Sequence, residues 1–202
     1  LRTAPYQPVG WAGDQYTDFS VDDGMPTVVT MGLNFGLGGI TTYGHDIAGY
    51  QNATRPPSTK ETFFRWTSLG ALSPVMRTHH GTKARLNWWF GKDEETIAHF
   101  RRWSRFHARL WPYLKKAAHA AYDTGLPIMR QLALAFPEDP PSWIRHDAYL
   151  LGPSLLVAPV LVEGAIGRDV YLPAGEWVSH TTGQRFTGPV TVTVPAPMTE
   201  GP

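Results

Sequence analysis

The stretch WAGDQYTD, Trp11 to Asp18, sets the reading of this chain together with two later stretches, GHDIAGY (Gly44–Tyr50) and MRTHH (Met76–His80). Each of the later two closes an apolar run with a cluster of polar side chains. Polar clusters at strand ends, separated by helical patterns, are the grammar of a parallel α/β barrel, whose chemistry sits at the C-terminal face. In the first stretch Asp14 follows a Trp-Ala-Gly turn that places an indole beside it. A carboxyl at the mouth of a cleft, partly screened from water by such a ring, is a natural general acid. An Asp beside a Gly is also an ordinary turn residue, and its neighbours shift that balance only modestly.

Working outward, residues 22–37 carry apolar side chains at Val28, Val29, Met31, Leu33 and Phe35 in a helical pattern, with Asp22 and Asp23 as acids at its start. Residues 38–43 read as a strand that delivers His45 and Asp46. Ser58 and Glu61 fit a capping box that opens a helix through Phe63, Phe64, Trp66 and Leu69 and ends near Gly70. A second strand follows over 72–78 and carries Arg77 and His79 to its end. A long helical pattern runs from Lys92 to Gly125, with Pro112 expected to start a second helix, and 127–136 has strand character. From about Tyr149 the runs LLVAPVLV, RDVYLP, EWVS and VTVTVP alternate with Gly and Pro turns and no helices, which predicts an antiparallel β module. The fold class is thus α/β: the C-terminal part of a (β/α)8 barrel over 1–145, then a small, incomplete antiparallel β-sandwich domain over 146–202.

Composition narrows the function. The 202 residues, 42% apolar with a formal charge of +1, describe a globular chain able to bury a core. No run of Lys or Arg makes a phosphate-binding stripe, so nucleic acid is not an expected partner. No window approaches a membrane span, and no charged-then-apolar leader opens the chain. There is no cysteine, which removes disulfides and thiolate metal sites and fits the cytoplasm and the periplasm alike. Because the first residue is Leu1, the chain reads as an excerpt or processed piece of something longer. Its eight Trp, eight Tyr and nine Phe are informative where they lie beside acids, as Trp11 near Asp14 and Tyr50 near Asp46. Sugar sites have this character, because C–H faces pack on rings while carboxylates and amides hold hydroxyls. Large aromatics also fill cores.

Among the chemically competent residues, Asp14 is the expected proton donor. Asp46 is a candidate for holding sugar hydroxyls or for a second carboxylate, and the residues alone leave it open as a nucleophile. Arg77 and His79 alternate along a strand and so face one side, with His80 pointing away. No third ligand stands at metal spacing near the His pair, so no metal is expected, and no cofactor. His99, His107, His119 and His146 are assigned to surfaces or satisfied hydrogen bonds. No G-x-S-x-G, phosphate loop or dinucleotide fingerprint occurs. Hydrolysis by carboxylates is the chemistry left.

The ordered set WAGDQ, GHDIAGY, RWTSLGALSP and MRTHHG resembles the second half of the catalytic barrel of glycoside hydrolase family 31. YLLGPSLLVAPVLVEG and VYLPAGEWV look like the β-sandwich that follows it. The resemblance covers nearly the whole chain, and the set in order is far more specific than any single motif. It implies a retaining α-glycosidase, α-glucosidase-like, with Asp14 as general acid/base. Asp46 and His79 would hold hydroxyls of the cleaved sugar, with Arg77 as their neighbour and Trp11 and Gln15 completing the substrate-binding set. The pairing of GDQ with Tyr50, and of RTHHG with the later NWWF and ETIAHF, is similar to the sulfoquinovosidase-like branch, where a Tyr at the position of Tyr50 helps to hold a sulfonate. The partners implied are a carbohydrate substrate and the rest of the catalytic barrel.

The chain departs from the family pattern in lacking the Asp nucleophile of an earlier strand and an Arg of the subsite, both of which precede the GD motif. Alone, an open half barrel would expose strand edges and apolar faces and is expected to be inactive. A reading of another class is a noncatalytic carbohydrate-binding relative that kept the fold.

Overall fold

The computed structural model describes residues 8–200. Three short strands, β1 (Gly10–Trp11), β2 (Tyr43–Ile47) and β3 (Val75–Thr78), pair in the order β1-β2-β3, all parallel. The connections between them are the helices α1 (Met25–Leu37) and α2 (Lys60–Ala71). This is the strand–helix alternation expected of a barrel segment. Helix α3 (Glu94–Thr124) follows β3.

Side chains on β2 divide by parity, as a pleated strand requires. Tyr43, His45 and Ile47 point to the helices: a Cβ on Gly32 would meet the Tyr43 ring, one on Gly70 would meet Ile47, and the Trp66 indole reaches His45. Gly44 and Asp46 point to the other face, where Trp11, Val75 and Arg77 lie. Gly44 is dictated by that packing, since a Cβ there would stand 2.5 Å from the Trp11 ring.

Several local expectations shift for identifiable reasons. Asp22 and Asp23 stand in the turn before α1, whose N-cap is Gly24 with Pro26 in the first turn, so neither acid lies in the helix. Residues 38–42 cap α1 and turn the chain, and β2 begins only at Tyr43. The N-cap of α2 is Thr59, whose hydroxyl accepts from Thr62 N at 3.1 Å. Ser58 does not cap because its hydroxyl accepts from Trp88 N and its N–H donates to Asn87, while Glu61 accepts from Gly164 N. Leu72 and Ser73 finish the last turn of α2, and β3 starts at Val75. Pro112 does not interrupt α3. It is exposed, so water can take the carbonyl it leaves free, and the buried stripe Thr96, His99, Trp103, Leu114, Ala117, Ala121 continues across it. Asp93 caps α3 by accepting from Thr96 N at 2.7 Å. The strand expected over 127–136 contracts to β4 (Met129–Arg130), followed by the short helix α4 (Leu132–Ala135).

After the short helix α5 (Pro140–Trp143), β5 (Tyr149–Leu151) and β6 (Leu155–Val157) pair antiparallel, with β4 on the far edge of β5. The strands β7 (Gly167–Val178) and β8 (Arg185–Pro195) form a long antiparallel hairpin with an irregularity between Leu172 and Gly175. One core joins both parts: Trp66, Phe64 and Leu69 of α2 pack in the same buried cluster as Tyr149, Leu151 and Val157. Among the described residues no helix is long and apolar enough to cross a membrane.

His45 lies at the centre of this core, 1% exposed. Trp66 Nε1 donates to its Nδ1 at 3.0 Å, its Nε2 stands 3.1 Å from Ser73 Oγ, and that hydroxyl donates to Leu69 O at 2.8 Å. The donor directions fix a neutral imidazole with hydrogen on Nε2. Burial holds its pKa down to about 4, as it does for His99. A folded-state pKa below the unfolded value of about 6.5 means that the unfolded chain binds more protons between them, so stability is present above that window and is lost as pH falls through it. The expected outcome is a loss on the order of 3 kcal/mol attributable to His45 as pH falls from 7 to 4. Urea unfolding across that range checks it, and His45→Gln should flatten the acid limb.

Candidate active site

The C-terminal ends of β1, β2 and β3 bring five of the expected residues together. Register places Asp46 opposite Arg77, and Arg77 Nε lies 3.0 Å from Asp46 Oδ1. The carboxylate side chain is 4% exposed and the guanidinium 48%. The contact is ionic without hydrogen-bond alignment, since that Oδ1 finds no hydrogen-bond partner. The Arg77 guanidinium also stacks over the Trp11 ring at 4.6 Å. Burial pushes the Asp46 carboxyl above its ordinary pKa, Arg77 and His79 pull it back, and the charge of Asp14 adds to the rise.

Asp14 sits on an exposed bend beyond β1 and has no ion-pair partner among the described residues. The neighbouring acids Asp18 and Asp22 are paired instead to Arg55, at 3.8 and 3.3 Å. Arg55 in turn covers the Tyr16 ring at 4.4 Å. Asp23 of the same loop likewise has no ion-pair partner among the described residues, but it stands in the turn before α1, whereas Asp14 follows directly on the C-terminal end of β1.

His79 stands just beyond β3, exposed, with its ring edge-on to Tyr50 at 4.8 Å between centroids. Gly81 N donates to His79 Nδ1 at 3.1 Å, so a neutral ring carries its hydrogen on Nε2 and can donate to a ligand oxygen. Gln15 is placed differently from its neighbours. Its side chain is 3% exposed and turns inward, donating to Ala12 O at 2.6 Å with Met31 Sδ at 3.6 Å. Its carbonyl accepts from both Tyr50 N and Gln51 N at 2.9 Å. Gln15 thus ties the Asp14 loop to the Tyr50 loop rather than presenting its amide to the cleft.

Two residues that sequence reasoning did not single out complete the scaffold. Asn52 is fully buried, and Asn87 is 5% exposed. Their amides bond at 2.7 Å. The only cue in the sequence is an amide set inside the aromatic run NWWF, where a polar side chain must find partners if it is buried. Ala48, at φ 68, is the one described non-glycine residue in left-handed backbone, and it lies directly after β2 beside this site. No group of three or more His, Cys, Asp or Glu among the described residues is arranged to hold a metal.

Two carboxylates in unlike settings thus stand at parallel strand ends, with an Arg, a His and two aromatics around them. Residues 3–117 match the glycosyl hydrolases family 31 TIM-barrel domain, and 125–202 match the family 31 C-terminal domain.

The chain belongs to glycoside hydrolase family 31.

Its fold is part of the family's TIM barrel followed by the C-terminal β domain. The chain is 41% identical to sulfoquinovosidases of Agrobacterium fabrum over 96% of its length and of Escherichia coli over 98%, covering 29% of each. It is 29% identical to α-glucosidase 2 of Bacillus thermoamyloliquefaciens, over 88% of its own length and 22% of that protein. A sulfoquinovosidase from E. rectale bound to an aza-sugar inhibitor superposes with a TM-score of 0.92 at 34% identity, over 95% of this chain and 29% of that one. A Flavobacterium johnsoniae dextranase superposes with a TM-score of 0.85 at 35% identity, over 96% and 24%. The chain therefore spans less than a third of the length of these relatives.

The charge balance around Asp46 makes a two-sided prediction. Arg77→Met should raise the carboxyl midpoint of Asp46 further, and Asp14→Asn should lower it. Carbon-detected NMR titration of the Asp46 carboxyl reads both directions.

Proposed function

We propose that this chain supplies the acid/base half of a retaining α-glycoside hydrolase acting on terminal sugars, and that it works with the nucleophile-bearing part of the barrel. The observation that carries the reading is Asp14 on an exposed bend just beyond β1, without an ion-pair partner among the described residues, together with the buried Asp46 held by Arg77 and the His79–Tyr50 pair at the neighbouring strand ends.

The chemistry follows from those positions. A carboxylate from the preceding part of the barrel attacks the anomeric carbon while Asp14 gives its proton to the departing glycosidic oxygen. In the second step Asp14 takes a proton from water, and the water oxygen attacks the same carbon from the face the leaving group vacated, which restores the starting configuration. The two carboxyls of such a pair stand about 5 to 5.5 Å apart. Asp46 and the Nε2–H of His79 are suited to hold sugar hydroxyls, the first as acceptor and the second as donor. Trp11 and Tyr50 offer faces for C–H packing.

A second reading of the substrate has its own support. The 41% identity to two sulfoquinovosidases exceeds the 29% to the Bacillus α-glucosidase. Tyr50, set edge-on to His79, is the residue that the resemblance to the sulfosugar branch would turn toward the anion. The reading is tested by assaying the polypeptide that includes the preceding barrel strands on p-nitrophenyl α-glucoside and on the corresponding sulfoquinovoside, with NMR of the first-formed product anomer. Retention is expected, and sugar binding without turnover would instead mark a noncatalytic relative.

Asp14→Asn should lower turnover of natural glycosides by about 10²–10⁴-fold, the usual contribution of a positioned acid/base. It should also abolish the alkaline limb of the pH–rate profile, because the acid must be protonated to act. Unchanged turnover of a natural glycoside by that variant would exclude Asp14 from the role.

A further inference from the structure

The His79 and Tyr50 loops are held together by a polar knot around two buried amides, which bonds to none of the side-chain groups assigned to chemistry. Asn87 Oδ1 accepts from Asn52 Nδ2 at 2.7 Å and from Ser58 N at 3.2 Å, and Asn87 Nδ2 donates to the carbonyl of His80 at 2.8 Å. Asn52 Oδ1 accepts from the Thr82 hydroxyl at 2.7 Å, and Asn52 N donates back to that hydroxyl at 3.1 Å. Thr82 N donates to Tyr50 O at 2.9 Å. Between them stands Gly81, at φ +68, where a Cβ would lie 2.6 Å from Tyr50 O and 2.7 Å from Asn87 Nδ2. The loop after β3 is thus pressed against the loop after β2 as closely as the backbone permits.

Most of these bonds end on or next to a residue of the site. Tyr50 lies two positions before Asn52, and His79 lies one before the carbonyl that Asn87 grips. Gly81 N, which orients the His79 ring, belongs to the same peptide unit as that carbonyl. An amide buried to this degree has few alternative partners, so losing one of its bonds displaces the loop or leaves a desolvated group.

We infer that Asn87, with Asn52 and Thr82, is a positioning residue: it sets the separation of His79 from Tyr50 and so the geometry with which the site grips its sugar. The inference rests on the glycosidase reading above. An Asp at 87 keeps the acceptor for Asn52 and Ser58 but faces the His80 carbonyl with a carboxylate oxygen in place of an N–H, which pushes that carbonyl away. Replacement of the exposed Thr82 by Val removes both hydroxyl bonds to Asn52 at little risk to folding.

The experiment measures KM and kcat/KM, normalised to folded protein, on p-nitrophenyl α-glucoside and sulfoquinovoside for wild type, N87D, T82V, H79A and the double variant N87D/H79A, in the polypeptide that includes the preceding barrel strands. On whichever substrate the wild type turns over, N87D is expected to raise KM about tenfold, as loss of one buried hydrogen bond to a loop warrants. T82V should shift KM in the same direction by less. In the H79A background N87D should have little further effect, because the residue it acts through is gone. If N87D lowers the melting temperature but leaves KM unchanged, or costs the same factor with and without His79, Asn87 is structural only and the inference falls while the glycosidase reading stands. Wild type inactive on both sugars would bring down that reading and this inference with it.

Discussion

The site depends on one cross-strand contact, the Asp46 carboxylate against the Arg77 guanidinium in the parallel register of β2 and β3. Burying a carboxylate is costly unless a charge or several donors compensate it. Here Arg77 is opposite by register, and its guanidinium is kept in place by the Trp11 face as well as by the ion pair. A slip of one residue along β2 would exchange the two faces, sending Asp46 toward Trp66 and His45 toward the cleft. Neither side chain tolerates the other's surroundings: His45 is satisfied by an indole N–H and a hydroxyl within the core, and Asp46 needs a cation. The register is therefore specified from both faces of one strand, and the chemistry inherits its alignment from the core.

That alignment would be of little use if the sheet were not held from behind. Helix α2 lies between the strands and the β domain and is buried along nearly all its length. Its Arg65, 3% exposed, donates to the carbonyls of Ala165, Ala196 and Pro197, the segments that flank the β7–β8 hairpin. Tyr149 donates to Leu72 O at the end of the same helix. A guanidinium spent on three main-chain carbonyls fixes both position and orientation, because its donors form a rigid planar fork. The β domain thus acts as a backing plate for the layer that carries β2 and β3.

The sequence made the alternation of strands and helices legible because apolar periodicity and polar strand ends are local signals. The change of grammar after Tyr149 was equally readable from its short apolar runs and turns. What it did not show was decided by tertiary contacts. Ser58 has the residue type of a cap, yet Asn87 and Trp88 claim it, so Thr59 caps instead. Pro112 has the residue type of a helix start, yet a continuous buried stripe carries α3 through it. Asp46, Arg77 and His79 stood out as candidates because they follow apolar runs, and Asp14 because it follows a Trp-Ala-Gly turn. Asn52 and Asn87 did not, since an isolated amide is informative only once its partners are known, and these lie 30 to 35 positions apart in the chain. Gln15 is in the substrate-binding set that the resemblance implies, yet its side chain faces the protein and its amide donates to Ala12 O.

The unlike surroundings of Asp14 and Asp46 bear on which of them exchanges protons during turnover. A group that must give a proton in one step and recover it from water in the next needs a path to solvent and freedom from a fixed cation. Asp14 meets both conditions, on an exposed bend without an ion-pair partner among the described residues. Asp46 meets neither: it is nearly inaccessible, and one oxygen faces Arg77. A buried carboxylate with a fixed cation is instead suited to accepting hydrogen bonds from a ligand whose hydroxyls replace the missing water. Burial and pairing alone thus give two carboxyls of one residue type unlike environments, and in the proposed reaction that difference would suit Asp14 to carry the proton and Asp46 to accept hydroxyls, the division of labour by environment that acid/base sites use generally.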